Sequence, residues 1–398
     1  MRCFRQHVVP RQRREIESHT LRIHIVFPAL PPRLDGIGDY TANLAGELAK
    51  SAKITILTDA GPYAPIPGVT ITPTFSPAEP RSLVHILPRV AADRPDWLLL
   101  QYNPFCYGHW GFNPHLPHAL RALKRRFPET RLAIMAHEHF VPVLNWKWAV
   151  MTTWQRWQFW MLGRCADRLF FSIDPWARKF RKWFPDKPVL HLPVGSNIGR
   201  VCLPRAQARA RLGIGEGTAV LGLFGTAHIS RMLARAREAA EVVRQTGREV
   251  LVLYAGTDAE AVRTALGPIP ACAEGPLPPA EVSRRLSAVD VYLAAFLDGI
   301  STRRTTLMAG LQHGLATVGT AGINTDDCLR AENGRAFLLS DANAPEAFNA
   351  HVLRLLEDAP LRARLGQEAS RLYQREFAWD RIASRLLAAL EANSPAIL

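Results

Sequence analysis

Short runs rich in leucine and β-branched residues alternate along the chain with longer amphipathic stretches. In the first half such runs stand at 23–27, 53–58, 69–74, 97–102, 131–136, 167–173 and 189–193. Stretches of helical spacing, such as 40–50 and 118–126, separate several of them. This alternation predicts βα units around parallel sheets. Trp97-Leu98-Leu99-Leu100 is apolar at successive positions, the pattern of a strand covered on both faces. Between 195 and 217 the pattern lapses into polar, arginine- and glycine-rich sequence, and then it restarts. Strands are expected at 219–224, 249–254, 289–295 and 316–320, with helices to about 245, over 259–266, from 302 and over 379–393. There is no internal repeat and no low-complexity segment. The expected fold is α/β: two tandem Rossmann-like, doubly wound domains at 21–197 and 218–376, a linker at 198–217 and a closing helical segment at 377–398. Residues 1–20 read as a basic leader without the apolar stretch of a secretory signal.

Composition narrows this picture. The chain has 398 residues, 48% of them hydrophobic and 21% charged, as expected of a soluble globular protein. No apolar run approaches the ~20 residues that span a bilayer. Six cysteines are scattered without a CxxC pair, which argues against a disulfide framework or a zinc site and for a reducing, cytoplasmic setting. The net charge of +14 points to an anionic partner: nucleic acid, an anionic membrane surface or a phosphorylated substrate. Nucleic acid ranks last, because the basic residues are spread along the chain without a recognised motif.

In open α/β sheets ligands gather at the carboxyl ends of the strands. Four such loops carry candidate chemistry. After the first strand, Gly36 and Gly38 stand at the mouth of a helix, where backbone N–H groups can face an anion; alternatively they only make a tight turn, with Asp39 as cap. After the fifth, a buried run ends abruptly in His137-Glu138-His139, either a polar strand end or a ligand contact from His137. The spacing is not that of the zinc motif HExxH, and no metal site is expected. In the second half, Gly225–Arg231 puts Ser230 and Arg231 before a helix. The most informative loop runs from Asp298 through Ser301, Thr302, Arg303 and Arg304. Ser301 or Thr302 is expected as N-cap with free N–H groups behind it, and two arginines sit in the first turn, where the helix dipole disfavours cations unless an anion is bound. Pairing of these arginines with surface carboxylates is the bland alternative.

These loops, in this order, resemble the GT-B glycosyltransferases, and within them the family 4 retaining enzymes. The resemblance runs from about Arg22 to Leu387. It is carried by residues 32–41, Gln101-Tyr102-Asn103-Pro104-Phe105, residues 136–140, residues 298–314 and Phe377-Ala378-Trp379-Asp380. It implies two lobes facing across a cleft and a final helix crossing back to the N-terminal domain. It implies a nucleoside diphosphate sugar as donor substrate, with no further cofactor and no metal, and a glycan, lipid-linked or small-molecule acceptor. By the same resemblance, Gly36 and Gly38 lie over the donor phosphates and His137 contacts the transferred sugar. Arg231 holds the diphosphate, Ser301, Arg303 and Arg304 take phosphate, and Asp298 supplies the acid near the sugar. The family's two glutamates, eight residues apart, are replaced: an ungapped alignment on Gly314 puts Ser301 and Ala309 there. A catalytically degenerate scaffold and a nucleotide-sugar epimerase are the competing expectations.

Seven of the ten tryptophans fall between Trp146 and Trp183, interleaved with basic residues such as Lys147, Arg156, Arg164 and Lys179. Tryptophan with lysine and arginine suits peripheral contact with an anionic membrane surface. Trp154, Trp157 and Met161, at i, i+3 and i+7, equally suit a helix face packed on a core.

Overall fold

A computed structural model describes residues 20–143 and 145–392. Apart from Thr20, the leader read over 1–20 lies outside them. The first sheet holds β1 (Arg22–Val26), β2 (Lys53–Thr58), β3 (Val69–Pro73), β4 (Trp97–Tyr102), β5 (Arg131–Ala136), β6 (Arg168–Phe171) and β7 (Val189–His191) in the order β3-β2-β1-β4-β5-β6-β7. The second holds β8 (Ala219–Phe224), β9 (Val250–Ala255), β10 (Ala271–Ala273), β11 (Val291–Ala294), β12 (Thr317–Ala321) and β13 (Leu338–Asp341) in the order β10-β9-β8-β11-β12-β13. Every pairing is parallel. The fold is thus the expected α/β pair of doubly wound sheets, in the GT-B arrangement. The sequence reading passed over the edge strands β10 and β13, which have three and four residues and show no usable periodicity.

In each sheet the winding direction reverses between two central strands, β1 and β4 in one, β8 and β11 in the other. Loops diverge at such switch points and leave a crevice. All six residues of β4 are buried, so the strand is covered on both faces and its end is rigidly placed.

Among the contacts that join the two lobes, three stand out. Helix Trp379–Glu391 packs on helix Gly36–Leu48, and Ile382, Leu386 and Leu390 bury in a core shared with Leu44 and Leu48. At the crossing, Trp379 Nε1 donates to Ser196 O at 2.8 Å, and Tyr373 Oη accepts from Ser196 N at 3.3 Å. Gly195 has no room for a side chain here, since a Cβ would lie 2.6 Å from the Trp379 ring. The third joint is the carboxylate of Asp326, wholly buried between the lobes. It accepts from Asp174 N at 2.7 Å on the first-sheet side and from Thr302 N at 2.8 Å on the other.

Candidate active site in the cleft

A cavity of about 450 Å³ opens between the lobes, lined by residues of the loops after the strand ends and of the first turns of the helices that follow them. Asp35, Gly36 and Ile37 come after β1, Asn103 and Cys106 after β4, His137 and Glu138 after β5. From the other lobe come Thr226, His228 and Arg231 after β8, and Arg303 to Thr306 after β11. Of the residues read from the sequence, Gly36, His137, Arg231, Arg303 and Arg304 line this cavity. Gly38, Asp298 and Ser301 do not.

Each exception has a physical cause. Gly38 is buried within the helix, and a Cβ there would lie 2.8 Å from Ala29 O, so its lack of a side chain serves packing. The helix cap is Asp35, not Asp39: its Oδ1 accepts from Ile37 N and Gly38 N at 2.9 and 2.7 Å. Ser301 was expected as an N-cap but is fully buried, and its hydroxyl has no hydrogen-bond partner. The segment before it is pinned against a neighbouring loop. Gly299, at φ 84°, lies so close to Gly322 and Thr325 that a Cβ would fall 2.2–2.3 Å from their atoms, and Ile300 is wholly buried. The helix therefore starts later, at Thr305, with Arg304 in extended conformation before it. The helix mouth still opens on the cavity, through Thr305 and Thr306, whose lobe-facing first turn has N–H groups without intrahelical partners.

Asp298 is occupied elsewhere. Its carboxylate accepts from Arg304, from Arg303 at 3.2 Å and from Asn324 at 2.9 Å. Burial pushes its pKa up, but Arg304, Asn324 and Arg303 outweigh that and hold it below the usual carboxylate range. It orients the two arginines instead of facing the cavity. Arg303 also reaches across the cleft to Glu138 at 2.6 Å and lies over the Trp176 ring, while Arg304 stacks 3.7 Å from the Phe296 centroid. The alternative read from the sequence, pairing of these arginines with carboxylates, is thus realised, but inside the cleft. Burial lowers the Arg304 pKa to about 10, so the group stays cationic at neutral pH.

Arg231 is nine-tenths buried and braced by its own loop, with Nη2 donating to Phe224 O at 2.6 Å and Nε to Thr226 O at 3.0 Å. Its Nη1, together with Nε of Arg303 and Nε of Arg304, is buried without a partner. Leaving such donors unsatisfied costs about 1–3 kcal/mol each, more when charged.

Opposite stands His137. Its N–H continues the β4–β5 ladder by donating to Tyr102 O at 2.9 Å, which fixes the direction of the side chain. Nε2 lies 2.8 Å from Gln101 Oε1, so with that oxygen as acceptor the proton sits on Nε2 and Nδ1 keeps its lone pair. Tyr40 meets the ring edge-on at 4.7 Å. Burial lowers the His137 pKa to about 3, and the ring is neutral at any physiological pH. His139 points the other way, into an aromatic cluster with Phe140, Trp176 and Phe180 at 4.2–5.0 Å. Burial lowers its pKa to about 3 as well. Cys106, whose thiol burial raises to about 12, is no thiolate nucleophile.

The two histidines make stability depend on pH with a definite sign. Unfolded, each titrates near 6.5; folded, near 3. Below 6.5 the unfolded chain gains protons that the folded chain refuses, so stability falls as pH drops from 6.5 toward 3. The loss is on the order of 2 kcal/mol per histidine at pH 5. Thermal unfolding at pH 7.5 and 5 checks this: His139→Phe should shrink the acid-induced drop in Tm, and an unchanged drop would disprove the assignment for that ring.

Glu138 is the residue the sequence reading undervalued. It belonged to the noted His-Glu-His run, but its cross-cleft partner lies 165 positions away, and no local signal marks it. Among the described residues no group of three or more His, Cys, Asp and Glu side chains could hold a metal ion.

Comparison with solved structures finds the same two-lobed fold elsewhere. Sucrose-phosphate synthase from Thermosynechococcus elongatus superposes with a TM-score of 0.68 at 14% identity, covering 93% of this chain and 98% of the other. Anabaena HepE, solved in complex with UDP and glucose, gives 0.64 at 13% identity, with 93% and 99% covered. A putative UDP-N-acetylglucosamine 2-epimerase from Listeria monocytogenes gives 0.60 at 13%, with 94% and 96% covered. At such identities the likeness establishes the fold alone. No protein-family model matches the chain, and a search of curated proteins finds no match.

Proposed function

We propose that this protein is a glycosyltransferase that moves a sugar from a nucleoside diphosphate sugar to an acceptor. One observation carries the reading: three cationic side chains, Arg231 buried and Arg303 and Arg304 partly so, each with a buried N–H that has no partner, face a neutral histidine across a single inter-lobe cavity. A diphosphate lies at the helix mouth of Thr305 and takes charge-assisted bonds from Arg231, Arg303 and Arg304. As the bond from anomeric carbon to phosphate oxygen breaks, negative charge grows on the leaving group, and these fixed cations stabilise it. Positive charge grows on the sugar ring. A protonated imidazole there would oppose it, whereas neutral His137 contacts the sugar without that penalty. Asp298 is a positioning residue for the arginines. Two carboxylates line the cavity: Glu138, paired to Arg303, and Asp35, which caps the helix after β1. The finer reading is a family 4 enzyme that retains anomeric configuration and meets the leaving-group charge with arginine. Solved relatives of the fold that handle nucleotide sugars lend support.

The test is a thermal-shift panel of nucleoside diphosphate sugars followed by turnover. A ligand at about 100 times its Kd adds about 2.7 kcal/mol of stability. Transfer that needs an acceptor supports the proposal. Binding without transfer or donor hydrolysis would instead mean a degenerate scaffold, and conversion of donor without acceptor an epimerase.

The acceptor side of the reading includes peripheral contact with an anionic membrane. No helix among the described residues is long and apolar enough to cross a bilayer. Helix Trp146–Cys165 contains no acidic residue, and its outer face shows Trp146, Val150, Trp157 and Trp160 beside Lys147, Arg156 and Arg164. Trp157 is 46% exposed while Met161 is buried, so the expected core stripe through both does not form. Sedimentation with vesicles rich in anionic lipid should capture the protein at low salt, and replacing Trp146, Trp157 and Trp160 by serine should release it. No capture by anionic vesicles removes this part.

A further inference from the structure

A second cavity, of about 700 Å³, shares no residue with the cleft. It lies where both chain connections between the lobes pass. Arg200 comes from the stretch that joins the two sheets, Arg371 from helix Ala359–Leu372, Arg375 from the turn Tyr373–Phe377 and Arg381 from the helix that crosses back. Gln367, Ser370 and Gln374 stand between them.

Three features distinguish this hollow from ordinary charged surface. Its carboxylates face away: Glu368 pairs with Arg371 at 2.5 Å and Glu332 with Arg375 at 3.1 Å, yet neither acid lines the cavity. Arg200 makes no hydrogen bond or ion pair among the described residues, and Arg381 has only Asp380 at 3.7 Å. The side chains of Gln367, Ser370 and Gln374 make no hydrogen bond there either, which leaves neutral donors and acceptors beside the cations. His313 adds no charge. Its Nδ1 and Nε2 are engaged with Ala309 O and Ser283 Oγ, each at 2.7 Å, and burial lowers its pKa.

We infer that this hollow is a binding site for a small phosphorylated polyhydroxy compound, a sugar phosphate. Its phosphoryl group takes the free guanidinium donors of Arg200 and Arg381, and its hydroxyls take Gln367, Ser370 and Gln374. Arginine suits phosphate because its planar fork donates two parallel bonds, and the volume is that of a small-molecule site. The carbonyl end of helix Thr305–Gln312, which faces the hollow through His313 and Gly314, is already satisfied: Gly314 N donates to Leu311 O and Leu315 N to Gly310 O, both at 3.0 Å. That helix begins at the cleft and ends here, so the two sites are mechanically continuous. A ligand bridging Arg200 and Arg381 ties the linker to the crossing helix and sets how the lobes stand.

The experiment is calorimetric titration of the full chain at physiological salt with glucose 6-phosphate, inorganic phosphate and glucose. Saturable binding of glucose 6-phosphate is expected, at least tenfold tighter than either of the other two. The variant Arg200→Gln/Arg381→Gln should weaken it at least tenfold while leaving UDP affinity within twofold, and Arg303→Ala should leave glucose 6-phosphate binding intact. Both altered residues in the hollow are exposed, so folding is not at stake. Absence of binding at millimolar concentration, binding indifferent to Arg200 and Arg381, or inorganic phosphate binding as tightly as the sugar phosphate would each overturn the proposal. UDP titrated against the same samples reports on the cleft separately, so failure of one site is not mistaken for failure of the other.

Discussion

Replacing Arg303 and Arg304 together by alanine is expected to lower the affinity for nucleoside diphosphates by roughly two to four orders of magnitude. Each removed guanidinium takes away a charge-assisted bond of about 1.5–3 kcal/mol, and 1.4 kcal/mol is about tenfold. The same guanidiniums now hold Glu138 and Asp298, so a diphosphate has to compete with carboxylates for them. That competition predicts an opposite effect for Glu138→Gln, which removes the cross-cleft ion pair and should tighten diphosphate binding several-fold. Calorimetry with UDP and other nucleoside diphosphates reads both. Affinity unmoved by the double alanine variant would take these residues out of the phosphate site, and the transferase proposal would lose its main support.

The largest effect on stability should come from Asp326→Ala. The carboxylate is completely buried and accepts backbone N–H groups from both lobes. His191 Nε2 lies 3.8 Å away and shares the Thr302 hydroxyl at 2.8 Å, and that hydroxyl in turn donates to Ser172 O at 2.7 Å. Losing the carboxylate orphans both N–H groups, at about 1.5–3 kcal/mol apiece. The total, roughly 3–6 kcal/mol, lowers Tm by about 4–7 °C in a protein of this size. Asp326→Asn keeps one acceptor and should fall between. Differential scanning calorimetry decides the matter; a melting curve for Asp326→Ala that overlays the parent would show that the lobes are held by other contacts.

Much of the fold was legible because its strands are buried on both faces. Continuous apolar runs such as Trp97 to Leu100 stand out from the amphipathic helices around them. The short edges were not, because β10 and β13 have too few residues to establish a period. Within the cleft, His137 could be picked out because it is a polar group placed abruptly at the end of an apolar strand, and Arg231 because it closes the loop that follows one. Asp298 is taken up by Arg303, Arg304 and Asn324. Ser301 has the chemistry of a phosphate site, but Gly299 presses the chain onto the loop at Gly322 and delays the helix by a turn. That contact joins segments more than twenty positions apart, and helix-start signals report only on their own neighbourhood.

The order of residues along this chain was sufficient to specify two parallel sheets and the loops at their carboxyl ends. These follow from local periodicity and from the geometry of βα winding. Tertiary structure alone decided which loops meet, because the cleft joins residues from opposite halves of the chain. It turned Glu138 into the partner of Arg303, set Asp298 behind the arginines and placed Asp326 between the lobes. Burial, which no single position encodes, then made His137 neutral and left one guanidinium nitrogen each of Arg231, Arg303 and Arg304 without a partner.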